Sequence, residues 1–471
     1  MPIPEEILKL KPKNTRIKAT RTPNEYNVIK RTSVRKNGKP YPVELGIIGK
    51  IIDGKYIPIE KPKFEVEFKS YGLTALIYKE CEDIFYDLCK FYHTSDAKKI
   101  FTIALLRVVK EDLKDGEILL EYKTDYISEI FPKLGLSGNN ISAFLEKIGQ
   151  TTTLIEKFMS YRISKYINNP IVIDGMLKSS TGDSNIYSEF SRKGRIKGCK
   201  DINLIYAYDL KNEEPLACAP YAGNMLDFTA LKDFLKTYTI ENGFIIMDKG
   251  FNDKEIKEEL KKLNTNFLIP IKNYSKDITK YELNRKFTES FKYENDSIRC
   301  NKVKVDNNKY YYAYKSSEIK AKQEKSYVSR NIEKGVFDEE IYKKKEDNFG
   351  LIVFESNFDG NLRDIYKAYK QRWEIETLFY KYKNIINRTE ENVHGTYRLM
   401  ATEFINYISC IMLTRIKKPI NKSQKCKGHS LSKVMHFLSK CVKKRSAKNP
   451  EKWVDCATLK YIKEICQELK I

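Results

Sequence analysis

Histidine is scarce: the 471 residues include only four. A mechanism built on imidazole acid–base chemistry has little to draw on, and metal-activated water is the more economical alternative. No apolar run approaches the roughly 18 residues that a membrane span requires, so no membrane partner is expected. The start, MPIPEEILKLKPK, has no apolar segment behind a basic one, and no secretory leader is expected from it. Ten cysteines are scattered without paired spacing, which suits reduced thiols in a cytosolic protein. Cys426, His429, His436 and Cys441 fit no standard zinc-finger spacing. Gly and Pro are both missing from residues 361–387, a stretch otherwise rich in residues that tolerate a helix.

Positive charge is what the chain has in excess, with 86 Lys and Arg against 63 Asp and Glu, a net +23. Residues 1–50 carry +8 and residues 411–471 carry +12, so +20 of the excess lies at the two ends. AT-rich coding accounts for some lysine, but not for that unevenness. Basic ends suit a polyanion, because phosphate contacts gain affinity by counterion release.

The middle of the chain changes character at Pro170. Ile171-Val172-Ile173 is a short apolar run ending on Asp174-Gly175. Strand-like segments follow at 202–210 and 215–219, a helix from Asp227, the run Phe244 to Met247 ending on Asp248, a helix from Lys254 and a strand at 267–271. Strand, strand, strand, helix, strand, helix, strand is the order of an RNase H-like core, in which the first and fourth strands are neighbours. Asp174 and Asp248, 74 residues apart, are then expected to meet. Either alone reads as a turn former or cap; together, as charges at the ends of buried strands, they are a poor choice for stability alone.

A third acid comes from residues 361–387. On one continuous helix, Arg372, Glu376 and Lys383 fall at about 300°, 340° and 320° from Tyr369, a single stripe beside an apolar arc. Three carboxylates from Asp174, Asp248 and Glu376 suit hard cations such as Mg²⁺ or Mn²⁺. A pair of such ions can drive in-line phosphoryl transfer. A charged helix face is often merely solvated, but the order Tyr369, Arg372, Glu376, Lys383 resembles the YREK signature of bacterial insertion-sequence transposases of the DDE class, with no departure in spacing. Asp174 and Asp248-Lys249-Gly250-Phe251 resemble the other two motifs of that family, with Lys249 where the family usually has Arg.

The resemblance covers about residues 170–413. It implies catalysis and metal binding by Asp174, Asp248 and Glu376, with two ions of Mg²⁺ or Mn²⁺. Tyr369, Arg372 and Lys383 would hold the DNA end, and the basic loop with Arg192, Lys193, Arg195 and Lys197 would track the backbone. It also implies cut-and-paste transposition, double-stranded inverted-repeat ends and target DNA as partners, a homodimer on the DNA, and a cytoplasmic, nucleoid-associated place in a prokaryote. Trp373 could stack on a flipped base or simply pack.

The expected fold is α/β: an RNase H-like core with a mixed five-stranded sheet, a β-rich insertion, an N-terminal β and helical DNA-binding region, and a basic helical C-terminal tail. Residues 1–65 read as a small basic β-rich region with a turn at Lys36-Asn37-Gly38-Lys39, resembling the subgroup with a long amino-terminal extension. Residues 66–168 read as helical, with Leu136 to Leu145 resembling half of a helix-turn-helix. The core would comprise 169–271 and 349–413, interrupted by an insert at 272–348, and 414–471 would form the tail. Tyr310, Tyr311, Tyr312 and Tyr314 in the insert are expected to pack rather than stack on bases. The alternatives are a transposase-derived DNA-binding protein, which predicts a damaged acid triad, and another RNase H-like metal nuclease, which needs neither the Tyr, Arg and Lys stripe nor the insert.

Overall fold

Short runs of β-branched and aromatic residues, too brief for helices, lay down the strands of a large mixed sheet. In the computed structural model residues 3–36, 39–59, 66–182, 184–194, 198–386, 390–391, 393–446, 451–456 and 459–471 are described. They fall into two units, residues 1–67 with 444–454 and residues 68–443 with 455–471. The smaller unit contains an antiparallel sheet of Thr15–Ala19, Glu25–Lys36, Lys39–Ile52 and Lys55–Pro58. Its core is small, centred on Ile17, Val28 and Ile51. The expected turn residues Asn37 and Gly38 lie outside the described residues.

The larger unit holds the main sheet. Its first strands are β1 (Pro170–Ser180), β2 (Lys200–Asp209) and β3 (Glu214–Ala222), followed by α1 (Asp227–Thr237), β4 (Phe244–Met247), α2 (Lys254–Lys262) and β5 (Asn266–Pro270). These strands lie in the order β3-β2-β1-β4-β5. β1 pairs with β4 in parallel, as β4 does with β5, while β1–β2 and β2–β3 are antiparallel. Ile171, Val172 and Ile173 of β1 and Ile245, Ile246 and Met247 of β4 are fully buried, the continuous apolar signature of strands covered on both faces. α2 starts where Asp253 accepts backbone N–H bonds from Glu255 and Ile256.

Next come β6 (Glu289–Tyr293), β7 (Asp296–Asp306), β8 (Lys309–Ser316), α3 (Ser317–Glu333), α4 (Glu339–Glu346) and β9 (Leu351–Ser356). β9 lies against β5, and β8, β7 and β6 continue outward from it, so these strands extend the same sheet. Tyr310, Tyr311, Tyr312 and Tyr314 of β8 are buried and pack, as expected. Their hydroxyls are also used. Tyr312 donates to Phe358 O at 2.6 Å and Tyr314 to Leu362 O at 2.7 Å, which fixes the entrance to the following helix.

That entrance opens α5 (Leu362–Gln371), capped by Asn361, whose side chain accepts from the Arg363 and Asp364 N–H groups. α6 (Trp373–Asn384) follows, and then the long α7 (Thr396–Lys422). Nearly every residue of α7 from Leu399 to Thr414 is buried. It packs on β3 and on the upstream helices Gly72–Cys89, Thr94–Val109 and Gly138–Gln150. Buried on all sides, it joins the helical layer to the sheet. No helix among the described residues is long and apolar enough to cross a membrane.

Two sequence expectations need correction. Residues 361–387 do not form one helix. The path breaks at Arg372, where Arg372 N–H bonds to Tyr369 O and Ile375 N–H to Arg372 O, both closing three-residue turns. No Gly or Pro is present at the break; the Arg372 side chain there pairs with Asp174 and Asp248. The first strand also does not end at Asp174 but continues to Ser180, because β2 keeps pairing with it as far as Lys200.

A candidate acid centre at the head of a parallel strand pair

Register brings the first two acids together. The β1–β4 ladder pairs Pro170 with Phe244, Ile171 with Ile245, Val172 with Ile246 and Ile173 with Met247. Asp174 and Asp248 are the next residue on each strand. Neighbouring strands lie about 4.8 Å apart, so both carboxyl-bearing residues stand at the same edge. The chain turns away after β4 into a short 3₁₀ turn, Lys249–Phe251, which frees Asp248 from the ladder.

Glu376 arrives on the first turn of α6, and Arg372 at the α5–α6 break supplies the joint. Its Nη1 is 3.3 Å from Asp174 Oδ2, and its Nη2 is 3.5 Å from Glu376 Oε1 and 3.9 Å from Asp248 Oδ1. One guanidinium thus pairs with all three sequence-predicted acids. Arg372 is shielded, its side chain only 12% exposed, while those of Asp248 and Glu376 are each 38% exposed. The locus therefore opens to solvent on one side.

Asp174 is the most enclosed of the three. Burial pushes its carboxyl up to about 6, and the neighbouring Asp248 and Glu376 charges push the same way. The Gly175 N–H, donating to Asp174 Oδ1 at 2.8 Å, and the Arg372 cation oppose the rise. Tyr369 lies next to the same cation, its ring centroid 5.5 Å from Arg372 Cζ. Its ring also packs on Phe354 at 4.4 Å, and burial raises its phenol above the usual range.

An open cleft of about 550 Å³ runs from the acids along α6, lined in part by Asp174, Glu376, Lys383 and Lys193. Lys383 thus reaches the cleft from the far end of α6. Lys193 lies on the loop after β1 and also pairs with Asp227 at the start of α1. Arg192 beside it is exposed. Arg195 and Lys197 lie outside the described residues. Trp373 is 61% exposed and lines a different cleft, together with Tyr293, Asp296, Glu318 and Tyr366.

The donor chemistry suits a hard divalent cation: three carboxylates at one locus, no thiol or imidazole, and a positive group already drawn in among them. As the side chains stand, no three His, Cys, Asp or Glu among the described residues are arranged to hold a metal ion. Asp174, Asp248 and Glu376 would be the residues to hold such an ion, in place of the guanidinium they now share. His429 of the C-terminal region hydrogen-bonds the Tyr461 hydroxyl at 2.9 Å, and Cys441 lies beside Cys466.

Sequence reading missed Lys178, Tyr382 and Glu403, which form a buried polar cluster between α7 and the strand and helix that carry Asp174 and Glu376. The available signal was a lysine four residues after Asp174, on the same alternating face of the strand.

Residues 171–412, just over half of the chain, match the family model described as the transposase DDE domain. Among solved structures, the chain is similar to the piggyBac transposase synaptic complex with hairpin DNA, at 13% identity over 84% of this chain and 85% of that one, with a TM-score of 0.39. It is also similar to the Mos1 transposase paired-end complex with the left transposon end, at 9% identity over 34% and 59%, with a TM-score of 0.16. A comparison with curated proteins gave no match.

Proposed function

The chain belongs to the transposase DDE-domain family, enzymes that cleave DNA and transfer its strands, and on that premise we propose that it is the cut-and-paste transposase of a bacterial insertion sequence of the YREK type. The observation that carries the site assignment is the convergence of Asp174, Asp248 and Glu376 on one guanidinium. The strand order β3-β2-β1-β4-β5 supports reading residues 169–271 and 349–413 as an RNase H-like core with 272–348 inserted. Residues 1–65 and 66–168 are then the DNA-binding regions, and 414–471 a basic tail.

Asp174, Asp248 and Glu376 would hold Mg²⁺ or Mn²⁺, in a two-ion arrangement that activates the attacking oxygen and stabilises the leaving one. The remaining work falls to side chains. Arg372, released from the acids, offers a planar fork to phosphate oxygens. Tyr369 supplies a hydroxyl donor beside it, and Lys383 a point charge further along the cleft. Arg192 and Lys193, with Arg195 and Lys197, follow the DNA backbone, which positions the strand without reading its sequence. Two copies would pair two inverted-repeat ends before target capture, in the cytoplasm at the nucleoid.

The test is to change each acid singly to Ala and assay metal-dependent cleavage of DNA carrying the sequences that flank the gene. Loss of metal assistance is worth several kcal/mol of barrier, so each variant should lose about a thousandfold or more in rate while still binding DNA. Full activity in any one variant removes that residue from the mechanism.

A further inference from the structure

Further along the strand that carries Asp174 lies a polar cluster closed off from solvent. Lys178 is on β1, four residues after Asp174 and therefore on the same strand face. Its Nζ donates to Glu403 Oε1 on α7 at 2.7 Å and to the Tyr382 hydroxyl on α6 at 2.9 Å. The Tyr382 hydroxyl donates to Glu403 Oε2 at 2.7 Å. Asn406 Nδ2 donates to both Tyr382 and Glu403, at 3.2 and 3.3 Å, and Asn406 Oδ1 accepts from Arg107 at 2.9 Å. None of Lys178, Tyr382, Glu403 and Asn406 is more than 2% exposed.

Stability is a weak reason for this arrangement. A buried ion pair barely recovers its desolvation cost, and well-packed apolar residues usually do as well or better. Directional hydrogen bonds do provide position. α6 lies along β1, with the Arg372 end at Asp174 and the Tyr382 end at Lys178. Polar contacts therefore fasten helix to strand at two places. The Arg372 contact faces the open cleft and, in the proposed mechanism, is surrendered when cation and phosphate arrive. The Lys178 contact is desolvated, with Lys178 1%, Tyr382 0% and Glu403 2% exposed. Between the two, Ile375 and Leu378 make apolar contacts, which are non-directional and allow sliding.

We propose that Lys178 is a positioning residue: through Tyr382 and Glu403 it holds the Glu376 helix against the Asp174 strand, so that the acids keep their spacing after Arg372 has left them. The inference rests on the reading of Asp174 and Glu376 as one site, and it concerns residues that touch neither DNA nor metal.

Two full-length variants test it. Tyr382→Phe keeps the ring and deletes only the shared hydroxyl. The paired change Lys178→Met with Glu403→Leu removes both charges together, which avoids stranding a buried carboxylate. Each is compared with wild type for melting temperature, for affinity toward end DNA without divalent ions, for Mn²⁺ binding by electron paramagnetic resonance, and for the Mn²⁺ dependence of single-turnover cleavage. The expected result is unchanged melting and DNA affinity, with Mn²⁺ affinity lowered about tenfold and the ion concentration for half-maximal cleavage raised to match, the scale typical of lost support behind metal ligands. Folded variants with wild-type Mn²⁺ binding and cleavage overturn the proposal. So does a loss of melting temperature and DNA affinity in step with Mn²⁺ affinity, which marks a purely structural role. Asp174→Ala and Glu376→Ala are run alongside. If they too bind Mn²⁺ and cleave, the site reading itself fails; if they fail while the Lys178 and Tyr382 variants behave as wild type, only the positioning role falls.

Discussion

Asp174 and Asp248 occupy the same step of a parallel strand pair: each follows the last registered couple, Ile173 with Met247. Their separation of 74 residues in sequence is reduced to the width of one strand spacing. β4 stops where the acids begin, so backbone pairing delivers Asp248 to the edge and then releases it. The three-acid locus depends on this register. A slip of one residue in either strand would turn its carboxylate to the opposite face.

Arg372 is the cation that the three acids share in the absence of metal. Arg372→Ala leaves them facing one another uncompensated, and should lower metal-free stability by about 1–3 kcal/mol. Millimolar Mg²⁺ or Mn²⁺ should restore much of the loss, because the ion substitutes for the guanidinium. Thermal melts with and without divalent ion check this. A variant as stable as wild type without metal would show that the guanidinium does not offset the acids' repulsion.

Asp174 makes stability depend on pH. Burial raises its carboxyl to about 6, above the usual value near 3.9, so the folded chain holds that proton more tightly than the unfolded chain. The contribution is therefore fully present below about pH 4 and is lost as pH rises through about 6, on the order of 2 kcal/mol. Asp174→Asn should flatten the metal-free stability profile between pH 4 and 7. Denaturant titrations across that range, with an equally steep profile in the variant, would assign the dependence to another group.

Much of this was readable from sequence because the relevant signals are local. Ile171 to Ile173 and Phe244 to Met247 are short apolar runs closed by an acid, and the spacing of Phe228 to Leu235 is helical. The features that escaped are set by distant partners. β1 runs on to Ser180 because β2 pairs with it and because Lys178 finds Glu403, 225 residues away. The α5–α6 break at Arg372 carries no Gly or Pro, and the three acids that pair with its guanidinium come from different parts of the chain. The main sheet grows through β9 into β8, β7 and β6 because the choice of strand neighbour is non-local, and alternation within one strand does not encode it.

In the proposed function, the loop after β1 contacts DNA independently of its sequence. Replacing both Arg192 and Lys193 by Ala should weaken binding about equally on every DNA sequence. It should also lower the slope of log affinity against log salt by about 2, close to one unit for each phosphate contact. Filter-binding or anisotropy titrations at several salt concentrations measure this. An unchanged slope would remove the loop from the interface.

The central claim is that three acids from distant parts of the chain share metal at one locus. Iron-directed backbone cleavage tests it most directly: Fe²⁺ replaces Mg²⁺ in the protein–DNA complex, ascorbate and peroxide generate radicals at the bound ion, and the fragments are mapped. The account predicts cuts close to residues 174, 248 and 376 together, all suppressed by excess Mg²⁺ and all lost in Asp174→Ala. Cuts near only one or two of these positions, or a pattern indifferent to Asp174, would contradict it.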